Sequence, residues 1–231
     1  MSIIFIAGML PALVLLYFIY KQDKIEKEPL GLLAKLFIAG GLMTISAGIA
    51  ESIFIPIALN ILGQAGSKTL FLLVENFLII ALAEEGFKRL AMRTLTWKHP
   101  AFNYRFDGVV YGVAAALGFA AFENVMYIMG YGLGIAPVRA VTAIPLHCIA
   151  GVFMGHFYGM AKWCMNRGMV AEGKKAMRLS LLVPVLIHGF YDFAAMAGNE
   201  TVAAGFLLFI VALDIFAISA VRKFSRNDQR A

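Results

Sequence analysis

Long apolar runs alternate with short polar connections along the whole chain. Seven such runs can be placed, near 2–20, 30–55, 70–93, 108–131, 139–162, 178–197 and 201–221. Each approaches the roughly 20 residues that a helix needs to cross a hydrocarbon layer about 30 Å thick. The pattern therefore predicts an all-α, polytopic transmembrane helix bundle of about seven spans, a single integral domain over 1–231 with a tail from about 222. Residues 51–69, with Pro56 and Gly63, read as a broken or surface-lying segment between the second and third spans. The first run lacks a basic leading region and a small-residue cleavage site, and reads as a retained span.

Composition agrees with this class. Hydrophobic residues make up 61% and charged residues 15% of the chain, with a mean hydropathy of +0.81, against about 25% charged in soluble domains. The distribution of basic residues adds an orientation. Segments 21–35, 88–105, 162–178 and 222–230 hold 18 of the 20 Lys and Arg, and the alternate connections hold only Lys68 and Arg139. Basic connections stay in the cytoplasm, which predicts an outside N-terminus and a cytoplasmic C-terminus. The +6 net charge is absorbed by those loops and gives no reason to expect a nucleic-acid partner. Cys148 and Cys164, 16 residues apart on one span, lie about 24 Å apart along a helix and form no disulfide framework.

Against this background four charges are out of place. Glu84, Glu85, Lys88 and Arg89 end the third run. Lys88 and Arg89 at depth cost roughly 5–7 kcal/mol on the insertion scale, against roughly 3–7 regained from the apolar residues between Leu70 and Phe87. The helix breaks even, so the charges need partners, and Glu84 with Lys88 and Glu85 with Arg89 stand at the favourable i,i+4 spacing. A helix that simply leaves the membrane here would explain the cluster equally well, but ionisable residues recur on other spans, where they mark sites or pathways. Glu123 and Asn124 lie deep in the fourth span, at the end of a small-residue stripe of Gly112, Ala116 and Ala120. His147 heads a second stripe, Gly151, Gly155 and Gly159, just after Pro145, where a kink is expected. His188 and Asp192 share one face of the sixth span, and a carboxylate one turn away fixes an imidazole's orientation. His156, Asp214 and the methionine and phenylalanine filling read as structural, while Glu51 and Glu75 are ambiguous.

These residues carry a family resemblance. "EEGFK" resembles an EExxK motif, "FAAFEN" an FxxxEN motif and "HGFYDF" an HxxxD motif of the PrsW proteases, glutamic-type intramembrane enzymes related to CAAX prenyl endopeptidases and bacteriocin-processing proteins. The segment "YKQDKIEKEPLGLL", residues 20–33, is similar to the charged first loop of that family. The match runs in order from about Tyr20 to Phe193. It departs from the CAAX branch, whose pattern resembles EExxxR and FxxxH, so prenylated substrates do not carry over. The resemblance implies an intramembrane endopeptidase in a bacterial cytoplasmic membrane. Its substrate is expected to be a membrane-anchored protein, typically an anti-sigma factor at its first cut. By position it implies catalytic roles for Glu84, Glu85, Lys88, Glu123, Asn124, His188 and Asp192, with His147 joining them.

Amide hydrolysis needs a base for water, donors for the oxyanion and an acid for the leaving amine. Glu84 beside Lys88 suits the base, with Glu85 sharing its proton or anchoring Arg89. His188, oriented by Asp192, would hold the water; His147 and Asn124 would donate to the oxyanion, and Glu123 would position the water or a histidine. No cofactor is required by that scheme. Glu84, Glu123, His147 and His188 also form a possible zinc set, although no HExxH motif is present. Convergence requires Phe77 to Trp97 to span the bilayer and Glu84 to lie within about 10 Å of His188, short of a closing motion. A proton-coupled transporter or ion relay would use similar side chains, but no internal repeat of the kind expected for one is seen. A retinal photoreceptor is disfavoured by the absence of lysine from the seventh span.

Overall fold

The computed structural model describes residues 2–63, 68–196 and 200–231, and it is helical almost throughout. Helix α1 covers Ser2–Gln22 and α2 covers Leu30–Gly63. The third rod is composite: α3 (Lys68–Leu73) runs through a π-helical stretch, Val74–Ile80, into α4 (Ala81–Thr96). Then follow α5 (Arg105–Tyr131), α6 (Ala136–Val141), α7 (Ala143–Asn166), α8 (Val170–Met196) and α9 (Glu200–Arg226). Five segments are long and apolar enough to cross a membrane among the described residues: Ser2–Gln22, Leu30–Gly63, Arg105–Tyr131, Leu133–Asn166 and Val170–Met196. The chain is a polytopic membrane bundle. Its outward faces carry Leu, Ile and Phe in the open, on α1, α2, α8 and α9, as expected where the solvent is lipid rather than water.

Helix α5 is the axis, packed by α7, α2, α1 and α4. Small residues allow this crowding. The two expected stripes face each other: a Cβ on Gly112 would strike the carbonyl of Gly151, and one on Gly155 would strike that of Gly108. Gly118 meets the Phe37 backbone, and Gly40 meets Ala115, in the same way on the α2 side. Close backbone approach brings dispersion contacts where no hydrophobic effect drives association.

Two local expectations are corrected. Helix α2 continues unbroken through Pro56 to Gly63, about 51 Å at 1.5 Å per residue, so the break expected over 51–69 is absent up to Gly63, and residues 64–67 lie outside the described set. Pro145 does not kink a helix mid-span: the chain breaks at Thr142 (φ −123°, ψ −72°), and Pro145 falls in the first turn of α7, where its missing N–H has no intrahelical partner to lose.

The ends of α5 are locked by polar groups. Asp107 Oδ2 accepts the backbone N–H groups of Asn103 (2.9 Å) and Tyr104 (2.6 Å), and Gly132 (φ 86°) closes the other end. The tail after α9 returns to this helix start, with Arg105 N donating to Gln229 O at 3.0 Å and Phe106 N to Asp228 Oδ1 at 2.9 Å.

Candidate active site

Helices α4, α5, α7 and α8 bring the ionisable residues together. The π-helical stretch just before α4 matters here, because i→i+5 turns rotate the downstream helix about its axis and are frequent at functional sites. Glu84, Glu85 and Lys88 are all buried on the inward side of α4, and Lys88 is fully enclosed. Lys88 Nζ donates to Glu85 Oε1 (2.7 Å) and Glu84 Oε2 (3.0 Å), and sits 4.1 Å from the centre of the Phe119 ring. Its third partner is His147 Nδ1 at 2.9 Å.

The second histidine completes the ring of contacts. His188 Nδ1 lies 2.8 Å from Glu85 Oε1 and 3.9 Å from Glu84 Oε2, and its Nε2 lies 3.2 Å from Asp192 Oδ2. The His147 and His188 rings stand edge to face, 5.1 Å apart. The expected approach of α4 to α8 is therefore met with several ångströms to spare. His147 Nε2 faces Glu123 Oε2 at 3.1 Å, which gives Glu123 the histidine-orienting contact.

A cavity of about 210 Å³ opens onto this cluster. Glu84, Phe119, Glu123, His147, His188 and Asp192 line it, together with Thr44 and Glu51 from α2, Arg139 from α6 and Tyr191 from α8. That volume admits several waters, and polar walls hold them. Glu85 and Lys88 stand behind this wall rather than in it.

In three places the contacts differ from the expected ones. Arg89 does not pair with Glu85: its Nε donates to Ser180 Oγ and its Nη2 to Met177 O, both at 2.8 Å, because α8 presents those acceptors on the face where Arg89 emerges. Asn124, expected to donate to the oxyanion, is engaged elsewhere: its amide donates to Gly8 O (3.3 Å), its oxygen accepts from Arg139 Nε (2.9 Å), and it does not line the cavity. The possible metal donors are grouped differently too. One ligand atom each from Glu84, Glu85, His147 and His188 lies within 4.8 Å of the others, and Glu123, which pairs with Arg139 and the far nitrogen of His147, is outside that group.

Arg139 is the residue that sequence reasoning missed. Its Nη2 lies 2.6 Å from Glu123 Oε2 and its guanidinium stacks 3.8 Å from the Tyr127 ring. The available signal was its isolation, as one of two cations on connections otherwise free of them. Glu51, left ambiguous, also reaches the cavity. His156 stacks on Phe224 at 3.6 Å, a structural contact as expected, and Asp214 lines a separate apolar cavity with Cys148 and Pro145.

This arrangement of two adjacent glutamates, a lysine and two histidines under a bilayer-spanning bundle can be compared with known proteins. The profile of a family described as "PrsW family intramembrane metalloprotease" matches residues 28–219. The chain belongs to the PrsW family of intramembrane proteases. Among its relatives, Protease PrsW of Oceanobacillus iheyensis is 34% identical over 96% of this chain and 95% of its own length. Protease PrsW of Bacillus subtilis is 32% identical over 83% and 82%, and that of Clostridioides difficile 25% over 98% and 93%. No solved structure matches the chain. It is thus a hydrolase of a bacterial membrane, a multi-pass protease acting on membrane proteins.

The family's description implies a metal, and the residues here fit one. Two carboxylates and two imidazoles are zinc donors, and the buried Oε2 of Glu85 has no hydrogen-bond partner among the described residues. Lys88 Nζ already bonds three of these four side chains, so an ion among them requires the ammonium to withdraw or lose its proton.

Proposed function

We propose that the protein cleaves single-span, membrane-anchored proteins such as anti-sigma factors, using water activated by Glu84 in the cavity beneath α2, α5, α7 and α8. The observation that carries this reading is the position of Glu84. It alone of the two glutamates faces the cavity, while Lys88 Nζ holds its Oε2 at 3.0 Å and His188 stands 3.9 Å away.

The chemistry follows from those contacts. Glu84 removes a proton from a cavity water as the oxygen attacks the scissile carbonyl carbon. The positive charge of Lys88, just behind the wall, and that of a His188 ring donating from both nitrogens to Glu85 and Asp192 act through space on the negative charge that develops on the carbonyl oxygen, in surroundings where such charges act strongly. When the C–N bond breaks, the proton held on Glu84 passes to the departing nitrogen, leaving a carboxylic acid and an amine. Glu85 has a different task. Buried behind Glu84, it fixes Lys88 and His188, and Asp192 fixes the far nitrogen of the same ring. Glu123 orients His147, which in turn holds Lys88.

A resident zinc ion is the second reading, favoured by the clustering of Glu84, Glu85, His147 and His188. When bound there it would act as a Lewis acid and lower the pKa of water. Metal content measured on active, chelator-free protein separates the two readings, since less than stoichiometric metal in fully active enzyme removes the second.

The decisive variant is Glu84→Gln, which keeps shape and removes the base. Co-reconstituted with a candidate single-span substrate whose new termini are mapped, it should lose cleavage by about 100-fold or more, as expected for a lost general base. Cleavage at the wild-type rate would exclude the role. From the distribution of basic connections we infer that the chain is inserted with its C-terminus in the cytoplasm.

A further inference from the structure

The charged first loop, residues 20–33, takes no part in the catalytic cluster, yet it builds a second buried constellation. Asp23 and Glu28 from this loop meet Asp107 from the start of α5, and one carboxylate oxygen of each lies within 4.8 Å of those of the others. All three residues are buried, with 1%, 3% and 1% exposure. Asp23 Oδ2 and Asp107 Oδ1 have no hydrogen-bond partner among the described residues.

Two unpartnered carboxylate oxygens in one buried cluster demand a cation or a donor. The available protein cations do not serve. Lys27 gives two of its three ammonium hydrogens to the carbonyls of Tyr20 (2.7 Å) and Asp23, and its charge acts on the Asp23 carboxylate without an ion-pair contact. No Lys, Arg or His forms an ion pair with any of the three acids among the described residues. A shared proton answers only part of this. It can join Glu28 to Asp107, whose Oδ2 already accepts two backbone N–H groups while Glu28 Oε2 accepts the Tyr111 hydroxyl. Asp23 Oδ2 is still left without a donor.

We propose that Asp23, Glu28 and Asp107 form a binding site for a hard divalent cation, calcium or magnesium, that braces the first loop against the start of α5. An all-oxygen, triply acidic donor set suits these ions and not softer ones. The bracing has a clear mechanical consequence, because the tail after α9 ends on the same helix start through Asp228 and Gln229. Three distant parts of the chain meet there.

Terbium luminescence on the full chain in detergent, stripped by chelator, tests this. The Trp97, Phe102 and Tyr111 rings lie in contact beside the site (Trp97 to Phe102 6.2 Å, Phe102 to Tyr111 5.5 Å) and can sensitise the ion. Wild-type protein should give saturable emission that calcium or magnesium displaces, the better competitor naming the ion. Glu28→Gln and Asp23→Asn should each weaken apparent affinity about tenfold or more through the lost ligand charge. Glu84→Gln should leave emission intact, which separates this site from the catalytic cluster. Emission that is absent in wild type, unchanged in both loop variants, or abolished by Glu84→Gln overturns the proposal. Asp23→Asn keeps the shape of the side chain and one acceptor oxygen, so the test stands even if Glu28→Gln fails to fold.

Discussion

Lys88 and His147, 59 residues apart in sequence, are joined by a hydrogen bond of 2.9 Å between Nζ and Nδ1. An ammonium can only donate, so Nδ1 must accept, and the ring hydrogen of a neutral His147 sits on Nε2. From there it points at Glu123 Oε2, 3.1 Å away. A single lysine thereby sets the tautomer of a histidine on another helix and, through it, the direction of a glutamate on a third.

Removing that lysine should be costly. In Lys88→Met the buried Glu84 and Glu85 lose the cation that both accept from, and uncompensated buried charges typically cost about 3–5 kcal/mol. Thermal unfolding in detergent should show this loss. The further substitutions Glu84→Gln and Glu85→Gln in the Lys88→Met background should restore much of it. Nitrogen NMR on histidine-labelled protein gives a second reading: the Nε2–H form of His147 should dominate in wild type and give way in Lys88→Met. A stability change under about 0.5 kcal/mol, the size expected of a surface substitution, would mean that Lys88 is not the counter-charge.

The glycine seam between α5 and α7 makes a separate prediction. A Cβ at Gly155 would stand 2.1 Å from the Gly108 carbonyl oxygen, backbone against backbone, while one at Gly130 on the same bundle meets nothing within 4 Å. Gly155→Ala should therefore destabilise by about 1–3 kcal/mol, the range for overpacking, and reduce cleavage by shifting His147 on α7. Gly130→Ala should be neutral or stabilise by up to about 1 kcal/mol. Equal melting temperatures for the two variants would refute the close approach.

How much of this was readable from the sequence differs by residue, for physical reasons. Glu84, Glu85, Lys88, Glu123, His147, His188 and Asp192 stood out because each is expensive in an apolar span, and the structure gathers all of them around one cavity. The facing glycine stripes were legible from their period of four. Partner identity was not. Arg89 looked like the i,i+4 mate of Glu85, but sequence spacing sees only one helix and misses Ser180 on the next. Arg139 has the look of a loop charge in sequence, since nothing local says that α6 turns its guanidinium into the bundle toward Glu123. The continuity of α2 past Pro56 is not legible because a proline signals a break in sequence, whereas a packed membrane helix can absorb one.

The first loop gives a pH dependence whose sign can be worked out. Burial pushes the Glu28 carboxyl up to about 7 from an ordinary 4.5, although the Tyr111 hydroxyl pulls the other way. Burial also pushes Asp23 up to about 6 from 3.8. A raised carboxyl pKa means that the folded chain binds more protons than the unfolded one between those values. Stability therefore falls as pH rises from about 4 to about 7. In chelator, Glu28→Gln should flatten this slope, because the neutral amide cannot ionise. An equally steep decline of melting temperature with pH in wild type and variant would show that Glu28 titrates normally.

Orientation offers the last test. Cys148 and Cys164 are both buried, so single cysteines added at the ends of the bundle can be read with membrane-impermeant thiol reagents against little background. Lys98→Cys lies between α4 and α5, on one of the Arg- and Lys-rich connections, and Lys68→Cys lies at the start of α3 on the opposite side of the same composite rod. Retention of basic segments in the cytoplasm predicts labelling of Lys68→Cys in intact cells and of Lys98→Cys only after the membrane is opened. The reverse pattern would invert the whole bundle. The first loop and its acidic cluster would then face outward, where calcium is abundant, and the substrate would present its cleavable segment from the opposite side.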